Sequence, residues 1–129
     1  MQKKEIGESG EIYCANRLQE QGYIILKQNF HSRYGEIDII ARHKHSLVFI
    51  EVKTRTKETI DQAQLSITFS KQKKLTKTAM YFLKDFETTE DILEYRFDVI
   101  IVIKKEKKPI YMKHFVNAFP PAEVGDFFA

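Results

Sequence analysis

The chain has 129 residues, 43% of them apolar, with ten Phe, six Tyr and a formal net charge of +3. That is one domain's worth of chain with enough apolar side chain for its own core, and so small a charge argues for no polyanionic partner by itself. No apolar run approaches the ~18 residues of a membrane span and the start at Met1 lacks a secretory signal's apolar block, so a cytoplasmic protein without membrane association is expected.

A helix is expected from about Glu5 to Gln21, stopped by Gly22. At ~100° per residue, Gly7, Glu11, Cys14, Ala15, Leu18 and Gly22 share one side, which sets the Glu11 carboxylate inside a small and apolar stripe. A solvent-facing helix has no need of that. Glu11 is therefore a candidate site residue, the alternative being an ordinary acid favoured by the helix dipole. Cys14, the only cysteine, has no partner for an internal disulfide or a thiolate-rich zinc site and reads as a buried core thiol.

Strands follow over Tyr23 to Phe30, Glu36 to Arg42 and Leu47 to Thr54, separated by turns at Ser32 to Gly35 and His43 to Ser46, which predicts an antiparallel meander. Alternation puts Asp38 with Glu36 and Glu51 with Lys53, while Ile37, Ile39, Ile50 and Val52 point the other way. If the second and third strands pair as a hairpin, Asp38 and Glu51 converge. Paired hard oxygen donors beside one ammonium suit a divalent cation and a phosphodiester. The competing reading is a polar strand face at Glu51 and Lys53, with Asp38 paired to Arg42 or to a basic residue elsewhere.

Arg55 to Thr68 is polar and Thr-rich, and reads as a mobile loop beside the presumed site. Ser70 is the expected cap of a second helix running to about Phe86, with Leu75, Ala79, Phe82, Leu83 and Phe86 on its apolar face. Lys71 then lies at the helix N-terminus, placed for a phosphate or snorkelling to solvent. Phe97 to Ile103 is almost unbroken Val and Ile, as in a central strand covered on both faces and reached by a parallel crossover. A charged turn from Lys104 to Pro109 leads to an edge strand over Ile110 to Phe115. Asp98 reads as structural, paired with Arg96, and the four histidines form no ligand set. From Arg42 to Lys84 ten Lys and Arg face three acids, a local +7 that leaves −4 for the rest, and such a stripe attracts polyanions.

The order helix, three-strand meander, helix, strand, with Asp38 ahead of Glu51-Val52-Lys53, resembles the PD-(D/E)XK nuclease superfamily. More narrowly, the Gly7 to Ala15 pattern, Gly35 to Asp38, Phe49 to Arg55, Ser70-Lys71, Arg96-Phe97-Asp98-Val99 and Asn117-Ala118-Phe119 look like the YraN-like family, bacterial proteins described as nuclease-like and resembling Holliday junction resolvases. The resemblance implies an α/β, restriction-endonuclease-like core: a mixed sheet of antiparallel meander, crossover helix and parallel central strand, flanked by helices. It implies Asp38, Glu51 and the Val52 carbonyl as ligands of Mg²⁺, with Mn²⁺ as a substitute. Glu11 matches the acidic position on the first helix, and Lys53 would orient or help deprotonate the attacking water. The function expected is endonuclease-type phosphodiester hydrolysis on DNA, branched DNA included, with Arg33, Arg55, Lys57, Lys71 and Lys74 gripping backbone phosphates. Alternatives are a non-catalytic DNA-binding or partner-binding module on the same fold, and RNA as the target. A junction-resolving role implies a symmetric homodimer. Most aromatic residues fit core positions and do not discriminate among these readings.

Overall fold

The computed structural model describes residues 3–56 and 67–124, with residues 3–9 described by backbone alone. Its elements are α1 (Lys3–Glu20), β1 (Ile24–Ser32), β2 (Gly35–His43), β3 (Ser46–Thr56), α2 (Phe69–Lys84), β4 (Glu94–Lys105) and β5 (Lys108–Phe119). The strands form one five-stranded sheet in the order β1-β2-β3-β4-β5. All neighbours are antiparallel except β3 and β4, which run parallel on either side of α2. This is the meander, crossover helix and parallel strand expected of a restriction-endonuclease-like core. The middle strand is β3, however, and β4 lies one place off centre, because β5 adds a single strand beyond it.

Each face of the sheet carries its own core. On one side Cys14, Ala15 and Leu18 of α1 pack against Ile39, Ala41, Val48, Ile50, Ile100 and Val102. On the other, Leu75, Ala79 and Phe82 of α2 cover Leu47, Phe49, Phe97, Val99, Ile101 and Ile103. With β4 covered on both faces, its Val and Ile run has no polar side to show.

The helix ends follow local chemistry. Past α1, Gly22 takes φ 93°. There the Tyr23 N–H donates to the Leu18 carbonyl at 2.9 Å and the Gly22 N–H to the Gln19 carbonyl at 3.1 Å, the paired bonds of a glycine-terminated helix. At the other helix the cap is Thr68, not Ser70: the Thr68 hydroxyl accepts from the Lys71 N–H at 3.1 Å, so α2 starts a residue before Ser70. The β4–β5 turn is also tighter than expected, with Glu106 and Lys107 both in the left-handed region and Lys105 opposite Lys108. Pro109 lies within β5 at a break in register, harmless on an edge strand. The expected loop from Arg55 to Thr68 falls mostly on residues 57–66, outside the described residues. No helix among the described residues is long and apolar enough to cross a membrane.

Candidate active site

The β2–β3 ladder runs from His43 opposite Ser46 to Ile39 opposite Ile50 and stops there. Asp38 and Glu51, next in the same register, are not joined through their backbones. Instead the Val52 N–H donates to Asp38 Oδ2 at 2.7 Å, so the carboxylate takes the place of the missing ladder bond. The two strands part at this point and the side chain of Asp38 fills the gap.

The strand further out is irregular at the same level. Gln28 pairs with Ile39 and Phe30 with Ile37, while Asn29 opposite Asp38 is unpaired and holds φ 52°. A left-handed residue, which Asn tolerates better than most, breaks the alternation at that point. Ile37 and Ile40 both enter the α2-side core, while Ile39 and Ala41 keep the opposite face. The expected grouping of Ile37 with Ile39, Ile50 and Val52 is thus wrong for Ile37. Asp38 is released from strict alternation at the same step.

Around Asp38 the other candidates gather. Its carboxyl is raised to about 6, chiefly by burial, with the Val52 N–H lowering it, Glu11 and then Glu36 raising it and Lys71 opposing them. Burial likewise raises Glu51, aided by Asp38 and opposed by Lys71 and Lys53. Lys71 Nζ lies 3.5 Å from Glu51 Oε1, so α2 delivers an ammonium to the β3 carboxylate. Lys53 is drawn below the ordinary lysine range by burial, then by Arg55 and Lys71, with Glu51 and Asp38 pulling the other way. Cys14 is fully buried below Glu11, its thiol pushed up to about 12 by burial, then by Asp38 and Glu11. It is a core thiol, as expected.

Glu11, Asp38, Glu51 and Lys53 therefore share one electrostatic neighbourhood. Close approach of α1 depends on Gly10: a Cβ there would meet Thr54 Oγ1 at 2.5 Å. Sequence reasoning missed Gly10 and Asn29. A glycine inside a helical pattern and an Asn inside a strand pattern were the available signals.

The basic residues divide. Lys71 joins the carboxylates. Arg55 lies on β3 and donates to the Thr54 carbonyl at 2.8 Å. Arg33, at the β1–β2 turn, donates to the Tyr34 hydroxyl at 2.8 Å, and Lys74 packs beside Gly35 at the foot of the same turn. Lys57 lies outside the described residues.

No group of three His, Cys, Asp or Glu side chains among the described residues is placed to hold a metal ion. A cation here would rest on two carboxylates, backbone and water. The donor chemistry suits that: Asp38 commits Oδ2 to the Val52 N–H and keeps a second oxygen. In an extended strand a residue's N–H and C=O leave on the same edge, which puts the Val52 carbonyl towards Asp38 as well. Mg²⁺ takes such partial oxygen sets and keeps several waters.

Asp98 serves a different end. It is buried on β4, accepting from Arg96 Nε at 3.1 Å and from the Asn117 N–H at 2.9 Å, with His114 Nε2 at 2.7 Å. Arg96 also donates to the Tyr23 hydroxyl at 2.8 Å, and Tyr23 stacks on His43. The structural reading of Asp98 and its Arg96 partner holds, and His43 and His114 belong to this network.

Fold and site together define an α/β protein whose sheet parts to present two carboxylates flanked by lysines, between one helix on each face. Residues 10–102 match the family model described as "Uncharacterised protein family UPF0102", and the chain belongs to that family. It is 44% identical over 118 residues to a UPF0102 protein of Clostridium botulinum (strain Loch Maree / Type A3), covering 90% of this chain and 94% of that one. A UPF0102 protein of Desulfosudis oleivorans is 43% identical over 78% of this chain and 80% of its own. One from Lachnoclostridium phytofermentans is 44% identical over 82% and 89% respectively. The YraN-like membership expected from the sequence motifs is borne out. The family description states no activity, so function rests on the geometry.

Proposed function

We infer that this protein is a divalent-metal-dependent phosphodiesterase of endonuclease type acting on DNA. The observation that carries the reading is the Asp38 carboxylate seated at the parting of β2 and β3, within electrostatic reach of Glu51. Mutual repulsion in a half-buried place is destabilising without a purpose, and a hard cation is the ligand that would relieve it. Asp38, Glu51 and the Val52 carbonyl are the residues that would hold Mg²⁺ or Mn²⁺. When bound, the metal would supply an acidified water and charge for a phosphate oxygen.

The protein's own groups do the rest. Lys53, with its proton affinity lowered by burial, is suited to orient the nucleophilic water and take its proton. Lys71, paired with Glu51, can turn to a phosphate oxygen and stabilise charge that develops on it. Glu11 keeps Asp38 basic by repulsion. Arg33, Arg55 and Lys74, with Lys57, would take the flanking phosphates.

A non-catalytic DNA-binding or partner-binding module has one observation in its favour, the Lys71–Glu51 pair, which neutralises a carboxylate without metal. Asp38→Asn separates the two readings, because it removes a ligand and a charge and leaves the basic residues intact. In the enzyme, the wild type cleaves DNA only with Mg²⁺ or Mn²⁺ and stops with a chelator, and the variant binds DNA at least as tightly but does not cut. Wild-type binding without metal-stimulated cleavage of linear, nicked, flapped or four-way substrates would establish the module instead.

A further inference from the structure

One side of α2 leads away from the carboxylates. Lys71, Lys74, Thr78 and Tyr81 recur at three- and four-residue spacing and so form a single row. Lys71 touches Glu51. Lys74 and Thr78 both lie against the β1–β2 turn at Gly35, and Thr78 Oγ1 is 3.3 Å from Ser32 Oγ. Tyr81 then meets Phe30 and Tyr34, with ring centroids 6.2 and 6.4 Å apart. From Lys71 to Tyr81 the row spans about 15 Å at the helical rise, the length of about four stacked nucleotides.

Its far end has more aromatic surface than a core requires. Tyr81 is 40% exposed, although Phe82 beside it is buried. The Arg33 guanidinium lies over the Tyr34 ring, 5.0 Å from its centroid. A groove of about 310 Å³ opens beside Tyr81, lined by Lys27, Phe30, Phe82, Asp85 and Phe86. An exposed Tyr81 ring, beside a half-buried Tyr34 ring carrying the Arg33 guanidinium on one face and reached past Lys71 and Lys74, matches an unpaired nucleic-acid strand: phosphates meet Lys71, Lys74 and Arg33, and bases meet the rings. Among the described residues Asp85 is the one acid lining the groove, and it lies past Tyr81, where the track ends.

We propose that Tyr34 and Tyr81, backed by Phe30, are a stacking platform for unpaired bases, so that the substrate carries a single-stranded segment next to the bond that is cut. This rests on the phosphodiesterase reading and names its substrate class. The chain has no Trp and six Tyr, so emission is tyrosine emission, and a quench that disappears when Tyr34 and Tyr81 are both replaced is assigned to the platform.

The test uses the full chain with a chelator, titrated with oligothymidylate and separately with a blunt duplex. Wild-type emission should be quenched by oligothymidylate. The Tyr34→Leu/Tyr81→Leu double variant should lose the quench and bind the oligonucleotide about tenfold or more weakly, with duplex affinity, which rests on phosphate contacts, unchanged. Unaltered oligothymidylate binding by the double variant overturns the platform, assigns the groove to a protein partner and leaves the phosphodiesterase reading standing. Equal weakening on both nucleic acids also overturns it. Wild-type protein that binds neither ends both proposals together.

Discussion

Asp38 works against the stability of the protein that positions it. Its carboxyl is raised from the ordinary 3.8 to about 6 by burial first and by Glu11 and Glu36 after, with the Val52 N–H, Lys71 and Lys53 in opposition. The metal-free folded protein then binds this proton more tightly than the unfolded chain does. Ionisation is a penalty on the fold that is absent below pH 3.8 and complete above about 6. Asp38→Asn keeps an oxygen for the Val52 N–H and removes the charge. In chelator at pH 8, the variant should be more stable than wild type by roughly 1–3 kcal/mol in urea unfolding, and the difference should shrink towards pH 4. A variant less stable at pH 8 would mean the site does not strain the metal-free protein. That Glu11 and Glu51 would come near Asp38, with Lys53 beside Glu51, was legible in the sequence, from helix periodicity in α1 and strand alternation in β3. The position of Asp38 within the strand gap was not. It coincides with a left-handed Asn29, φ 52°, opposite it on the neighbouring strand, and single-strand periodicity carries no information about that.

The elements divide by how local their causes are. Gly22 ended α1, the short turns set the meander, and unbroken Val and Ile marked β4, all from neighbours within a few residues. The start of α2 was misplaced because Thr68 and Ser70 are both good caps and only the chain's approach to the helix selects one. Thr68→Ala should therefore lower stability by about 1 kcal/mol, and Ser70→Ala by much less, as urea midpoints would show; the reverse ranking would refute the Thr68 cap. The Asp98 network binds elements that the sequence keeps apart, joining β4 to β5 through His114 and Asn117 and to the start of β1 through Arg96 and Tyr23. Burial raises the Asp98 carboxyl, but His114, Arg96 and the Asn117 N–H together outweigh it and hold the group below its ordinary 3.8. Its stabilising effect is thus complete above pH 3.8 and fades as pH falls through the lowered folded value, the opposite sign to Asp38. Asp98→Asn should cost about 3–5 kcal/mol at pH 7, because Arg96 keeps its charge without its partner. The gap from wild type should narrow below pH 3. A gap of constant size across that range would show that the ionised carboxylate is not what joins these strands.

At the scale of the whole molecule, the net charge of +3 hides a local +7 from Arg42 to Lys84. The fold brings part of that excess to one end of the sheet, since β3 supplies Lys53 and Arg55 and α2 returns Lys71 and Lys74 beside them. Arg33 joins from the β1–β2 turn. If Arg33, Arg55, Lys57, Lys71 and Lys74 each displace one counterion from duplex DNA, the logarithm of affinity should fall against the logarithm of salt concentration with a slope of about −4 to −5. Between 50 and 200 mM salt a monomer should lose a few hundred-fold in affinity. A junction-resolving role needs two sites facing two strands, and a symmetric pair would double both the contacts and the slope, to about −9. Salt titration on a plain duplex and on a four-way junction therefore reads assembly and substrate at once. Equal shallow slopes on both, together with sedimentation that finds only monomer with and without branched DNA, would remove junction resolution and leave the proposed nicking of one strand to be read from cleavage. A doubled slope on the junction alone would place two copies on it, each with its own pair of carboxylates against one of the exchanging strands.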